Sequence, residues 1–277
     1  MLDLGPNSRQ SLTAVRNVLD GKLKRLSAAQ ATALSAELFS VLNTLQSSGA
    51  LRRAVTDPAH DHNAKAALVK DLFKSLSPSV QDLLVDAVAL RWSQTSDVVD
   101  AIEQVAVEAE ATAANQEGSL ENVEEELYGL LKVLVANNDL RQALNNSNDE
   151  GTHKAELIRA IFGGKYQAAT VRLLEQLVKV LNRRSIELAT YAFIDGVGAR
   201  HNRLRAVVRS RVALTDGQKQ KLVDTLSKQM GQPVHISVEI DASVIGGVEV
   251  RFDDEVIDGT ISHRLAEAGR ALVSKAV

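Results

Sequence analysis

From residue 11 to residue 116 apolar positions recur every three or four residues, the period of helices with one buried face. Residues 11–46 read as two helices. In the second, Ser27-Ala-Ala-Gln30 has the spacing of a capping box, and Leu34, Leu38, Val41, Leu42 and Leu45 follow on one face. Ser47-Ser48-Gly49 ends it. A short helix over 51–55 stops at Asp57-Pro58, because the residue before a proline avoids the helical region. The next helix carries Leu68, Val69, Leu72 and Phe73. Ser77-Pro78 then supplies an N-cap and a first-turn proline ahead of Val80, Leu84 and Val88. A long helix over 97–116 has Ile102, Val105, Ala109 and Ala113 as its stripe.

After Gly118 the pattern begins again. Shifting the sequence by 89 residues pairs Glu37 with Glu126, Leu38 with Leu127, Leu42 with Leu131 and Leu45 with Leu134. It goes on through Leu51-Arg52 with Leu140-Arg141, Lys65-Ala66 with Lys154-Ala155, Phe73 with Phe162 and Leu84 with Leu173. Twelve of 48 ungapped positions are identical, more than shared helical periodicity gives, so the chain reads as a tandem duplication of a helical bundle. The second copy ends on Val171, Leu174, Leu177, Val178 and Leu181, and a last helix over 186–201 starts from Ser185.

Beyond that helix the period changes from 3.6 to 2. Val208, Ser210, Val212 and Leu214 alternate with Arg209 and Arg211, as in a half-buried strand. Thr215-Asp-Gly-Gln218 is a second capping box, opening a helix with Leu222, Leu226 and Met230 on one face. Gly231-Gln-Pro233 breaks it, and Val234, Ile236, Val238 and Ile240 mark another strand. Val248, Val250 and Phe252 mark a third, preceded by Gly246-Gly247, a pair suited to a bulge or a close backbone approach. A short strand and the turn Asp258-Gly259-Thr260 lead to a final helix with Ile261, Leu265, Ala268 and Leu272. The expected fold is mostly α: two tandem helical-bundle domains, 1–96 and 97–202, then a small α/β domain, 203–277, with about four strands and two helices.

Composition narrows the chemistry. Only 3% of the 277 residues are aromatic against 45% hydrophobic, which suits small aliphatic packing in bundles. The absence of cysteine excludes disulfides and thiol nucleophiles and fits a reducing compartment. The first residues lack a signal-peptide pattern, and no apolar run reaches bilayer length, so no direct membrane insertion is expected. Gly163-Gly-Lys-Tyr166 has Arg159 where a phosphate loop needs its first glycine and Tyr166 where it needs Ser or Thr; it reads as a helix stop. Gly196-Val-Gly198 follows a helix and lacks a third glycine. His60-Asp61-His62 reads as a solvated loop capping the next helix rather than a metal site. Arg200, Arg203, Arg205, Arg209 and Arg211 form a basic cluster without interleaved aromatics, which argues against nucleic acid. Glu121, Glu124, Glu125 and Glu126 favour the start of their own helix. No catalytic, metal or cofactor-binding residue emerges, and no cofactor is expected.

The residues Asp241, Ile245, Gly246, Gly247, Ile257, Asp258, Gly259, Thr260, Arg264 and Leu265, in that order and spacing, resemble the C-terminal signature of the delta subunit of F-type ATP synthases. The mitochondrial counterpart is the oligomycin-sensitivity-conferring protein. An ordinary member of that family is about as long as residues 97–277, which makes 1–96 an extra copy of the bundle, as in actinobacterial delta subunits. Asn182-Arg183-Arg184 resembles the family turn, with Arg183 where glycine is common. The resemblance implies a non-catalytic stator subunit of a proton-translocating synthase at the cytoplasmic face of the cell membrane. Its implied partners are the N-terminal helices of alpha subunits and the C-terminal end of a b-type stalk. It further implies an alpha-helix groove between helices 97–116 and 168–181, with Ile102, Val105, Leu174, Leu177, Val178 and Leu181 as candidate lining. Gly246, Gly247, Asp258 and Gly259 read mainly as turn formers. A free helical-repeat adaptor without enzymatic activity is the alternative.

Overall fold

In the computed structural model the described residues are 4–146, 149–181, 184–200, 204–230, 234–241, 244, 247–252 and 255–258. The chain divides into two compact units, Met1–Arg200 and His201–Val277. Eleven helices are described in the first: α1 (Pro6–Leu23), α2 (Ala28–Ser47), α3 (Gly49–Thr56), α4 (His62–Leu72), α5 (Pro78–Ala89), α6 (Asp97–Gln116), α7 (Leu120–Ala136), α8 (Asn138–Asn145), α9 (Gly151–Phe162), α10 (Ala168–Lys179) and α11 (Ile186–Gly198).

The local signals place the helix ends. Ser27 and Gln30 cap α2 reciprocally, and the hydroxyl of Ser48 accepts from Leu51 N at the start of α3. The Asp61 carboxylate accepts from Asn63 N and Ala64 N, so the histidine-rich loop is the cap of α4. The hydroxyl of Ser77 caps α5 with Pro78 in its first turn. Helix α9 stops at Phe162. A Cβ on Gly163 would lie 2.4 Å from Arg159 O, and Gly164 has φ +74°, so only glycine suits this exit.

The duplication is visible in three dimensions. Helices α2 to α5 recur as α7 to α10, and α6 recurs as α11 while also standing first in the second copy, where α1 stands in the first. Two polar clamps recur with them. The Glu37 carboxylate accepts from the backbone N and hydroxyl of Ser77, and the Glu126 carboxylate accepts from Gln167 N and Thr170 Oγ1. Each glutamate thus holds the N-terminus of the fifth helix of its copy, where the helix dipole favours negative charge. The ungapped 89-residue register fails at this point. Helix α5 starts at Pro78 and α10 at Ala168, 90 apart, because α9 is one residue longer than α4 while the loops that follow them are equal in length. Buried Val80, Leu83, Leu84, Ala87 and Val88 therefore match Thr170, Leu173, Leu174, Leu177 and Val178. Leu84 corresponds to Leu174, not Leu173.

One continuous core runs through both copies, from Leu4 to Val197. Helix α6 lies at its centre. Its neighbours include α1, α2 and α3 of the first copy and α7, α10 and α11 of the second. Sixteen of its 20 residues are buried, far beyond the single stripe that its sequence suggests.

The second unit has a four-stranded sheet in the order β2-β1-β3-β4, from β1 (Leu204–Ser210), β2 (Val234–Ile240), β3 (Val248–Phe252) and β4 (Glu255–Asp258). Helix α12 (Asp216–Met230) joins the parallel pair β1 and β2; β3 runs antiparallel to β1 and to β4. Val208, Leu226, Val234 and Val250 form its core. The expected strand through Leu214 is shorter: β1 ends at Ser210, whose hydroxyl donates to Val212 O at 2.6 Å, and Val212 is exposed. The capping box of α12 is present, Thr215 and Gln218 bonding each other's backbone N–H. The expected helix over 261–272 lies outside the described residues.

Candidate interaction surfaces

The central helix carries three buried glutamates, each neutralised by arginine. Glu103 takes a two-pronged hydrogen bond from Arg184 at 2.8 and 2.5 Å. Glu108 accepts from Arg16 Nε and from Arg200 Nη2, both at 2.6 Å, and Arg200 also pairs with Asp20. Glu110 accepts from Arg172 Nε at 2.8 Å. These ties pin α1, α10 and the segments flanking α11 to α6. Burial raises the Glu110 carboxyl, and Arg172 opposes that rise. Burial disfavours the Arg184 charge, but the paired Glu103 outweighs it and holds the guanidinium above its ordinary range. One turn away, burial, Glu103 and Asp97 push the Asp100 carboxyl up to about 6 against the pull of Arg184. Sequence reasoning missed this row, since acidic residues on a helix usually mark a solvated face. A possible signal was present: Arg184 and Arg200 flank the helix that packs against α6.

The six residues expected to line a groove are brought together, but inside the core. Ile102, Val105, Leu174, Leu177, Val178 and Leu181 are all buried, Leu181 at 8% being the most exposed. The reason is the first copy. Thr32, Ser35 and Phe39 of α2 face Arg172 and Gln176 of α10 across a cavity of about 60 Å³, Phe39 packs on Phe193 at 5.9 Å, and Gln46 Nε2 donates to Val180 O. Such a volume is far too small for a helix.

In the second unit Asp241 N donates to Ser210 O and Val244 N to Asp241 O, a turn that carries the chain off β2. Gly247 has φ +78°, which gives it a backbone role before β3. Ile257 and Asp258 close β4 opposite Val250 and Glu249. Ile245, Gly246, Gly259, Thr260, Arg264 and Leu265 lie outside the described residues. Of the basic cluster, Arg200 is used inside the first unit, and Arg209 sits between Glu239 at 3.3 Å and Glu249 at 3.9 Å on neighbouring strands. Arg203 lies outside the described residues, Arg205 is in β1, and Arg211 is exposed.

Among the described residues no group of three or more histidines and carboxylates is placed to hold a metal, and no helix is long and apolar enough to cross a membrane. Among the described residues the exposed large apolar side chains are Leu68 and Leu72 on α4, Tyr128 and Val135 on α7, Leu188 and Tyr191 on α11, and Val212 and Ile240 in the second unit.

Residues 107–272 match the family model described as ATP synthase delta (OSCP) subunit. The match opens inside α6, the helix that starts the second copy. "ATP synthase subunit delta" of Streptomyces coelicolor is 39% identical over 268 residues, 96% of this chain and 97% of the relative. The subunits so named in Thermobifida fusca and Kineococcus radiotolerans are 35% and 34% identical, the alignments covering 96% and 98% of this chain and 98% of each relative. The added N-terminal copy is therefore shared with these actinobacterial relatives. Among solved structures, one chain of the Toxoplasma gondii mitochondrial ATP synthase hexamer aligns with a TM-score of 0.42 and 16% identity, over 60% of this chain and 97% of that one. With 166 residues inside the family model and relatives matched almost end to end, this chain belongs to the ATP synthase delta (OSCP) subunit family.

Proposed function

We propose that the chain is the stator tie of a proton-translocating ATP synthase, working peripherally at the cytoplasmic face of the cell membrane. It joins the alpha/beta catalytic head to the C-terminal end of a membrane-anchored b-type stalk and resists the rotor's torque. The observation that carries this reading, beside membership of the family, is the division into two units with separate cores, one for each end of a connection. The N-terminal helices of alpha subunits dock on outer faces of the first unit, with Ile102, Val105, Leu174, Leu177, Val178 and Leu181 as the core beneath. Residues 1–96 are the added bundle, 97–202 the bundle of ordinary family members and 203–277 the stalk-facing domain. Two modest contacts joined in one chain hold better than either alone, through effective concentration. The test is reconstitution from purified parts: head lacking this chain, the soluble portion of the b-type subunit, and the chain itself. A single co-eluting complex that forms only with the chain present is expected. Head and stalk segment associating equally well without it would refute the proposal.

A further inference from the structure

Four charged side chains meet where the first unit ends. Arg200, the last residue of that unit, is 15% exposed and spreads its guanidinium over two helices. Its Nη1 donates to Asp20 on α1, and its Nη2 donates to Glu108 on α6 at 2.6 Å. Arg16, one turn before Asp20 on α1, donates to the other oxygen of Glu108. Gln104 joins them, its side-chain oxygen accepting from Arg16 Nη2 at 3.3 Å and from Gly196 N at 3.2 Å. The end of α11, closed by Ala199 N on Asp195 O and Arg200 N on Val197 O, is thus tied to both α1 and α6.

The repeat does not contain this cluster. A step of 89 residues puts Val105 and Ala109 at the places of Arg16 and Asp20, Leu19 and Val197 at that of Glu108, and Ala111 at that of Arg200. All five are 0% exposed. Apolar packing serves at each of these places elsewhere in the repeat, and a buried ion pair seldom stabilises more than such packing. The Nε of Arg200 is even buried without an acceptor among the described residues, which costs stability. What the charges add is geometry: a forked donor meeting carboxylates on two helices admits one register of α11 against α1 and α6. The family model begins at residue 107, so Glu108 and Arg200 lie within it while Arg16 and Asp20 come from the added copy. We infer that Arg16, Asp20, Glu108 and Arg200 form a clamp by which the added copy holds the last turn of α11 wound, fixing the point where the chain leaves for the second unit. Each residue of that turn that unwound would lengthen the connection by up to about 3.3–3.6 Å. Slack of that kind lowers the effective concentration with which two joined contacts support each other. This use of the clamp rests on the stator reading above; the clamping of α11 does not.

The test is hydrogen exchange of the full chain, read at the amides of Val197, Ala199 and Arg200 in two variants. Arg200→Lys keeps the charge but presents a single ammonium in place of the fork. Arg16→Val, Asp20→Ala, Glu108→Leu and Arg200→Ala combined install the apolar residues of the repeat. In both, exchange at the three amides should quicken at least about tenfold while α2, α7 and α9 keep their protection. Unchanged exchange at these amides overturns the clamp. So does exchange that quickens equally throughout the first unit, the mark of general stabilisation. If the fourfold variant does not fold, Arg200→Lys decides alone. None of these results bears on the stator reading, which the reconstitution tests with the unaltered chain.

Discussion

Replacing Glu108 with glutamine tests whether the ion pairs on α6 hold the first unit together. The carboxylate is 1% exposed and accepts two guanidinium hydrogen bonds, from Arg16 and Arg200. Charge-assisted bonds contribute about 1.5–3 kcal/mol each. Part of that is recovered in the variant, because the glutamine oxygen still accepts, Arg16 is 34% exposed and turns to water, and Arg200 keeps Asp20. The net cost is then about 2–3 kcal/mol, short of the larger penalty for stranding a fully buried charge. In a unit of this size each kcal/mol moves Tm by about 2–4 °C, so a fall of about 4–12 °C is expected. Thermal unfolding of the full chain followed by far-ultraviolet circular dichroism measures it. Adding Arg16→Leu should cost less than the two changes summed, since the partners share one interaction. A Tm change below about 1 °C, or one abolished by high salt as for exposed pairs, would show that the row is ornamental.

Asp100 should make the first unit pH-sensitive. Its folded pKa of about 6 lies above the unfolded value of 3.8, so the folded state binds more protons between these limits and stability falls as pH rises through them. Asp100→Asn should stabilise by about 1–3 kcal/mol above pH 6 and bring no gain once both states are protonated; parallel melts across that range decide it. Gly247→Val forces a β-branched residue to φ +78°, costing about 1–3 kcal/mol in the second unit. Hydrogen exchange should quicken in 204–258 and be unchanged in α1 to α11; equal protection everywhere would leave the glycine without a backbone role. At Gly196 a Cβ would lie 2.7 Å from Val107 Cγ1, so Gly196→Val should wedge α11 away from α6 and cost about 1–3 kcal/mol by thermal melt.

Helix starts and stops were legible because they depend on neighbours in sequence: Ser27 with Gln30, Asp61 with the amides of Asn63 and Ala64, Gly164 after Phe162. The period-2 strands were legible for the same reason, up to Ser210, where a hydroxyl-to-carbonyl bond turns the chain before the alternation ends. What periodicity could not supply was the partner of each surface. Glu103, Glu108 and Glu110 look solvated until arginines 62 to 92 residues away are seen to meet them. Ile102 and Leu177 look like a groove until both are found buried, with α2 and α10 facing each other across no more than a small cavity. A one-residue insertion before α10 was hidden because leucines at both 173 and 174 satisfy either register.

One helix shared by two bundles has a mechanical consequence. Ordinary tandem domains meet at a linker, where the chain can flex or be cut and each piece still keeps its walls. Here the first copy ends on the rod from which the second begins, and removing residues 1–96 would strip α1 and α2 from it and leave Glu108 without Arg16. The added copy is therefore a splice, not an appendage. A pull on either copy passes along 20 residues of helix, about 30 Å, with no joint to absorb it.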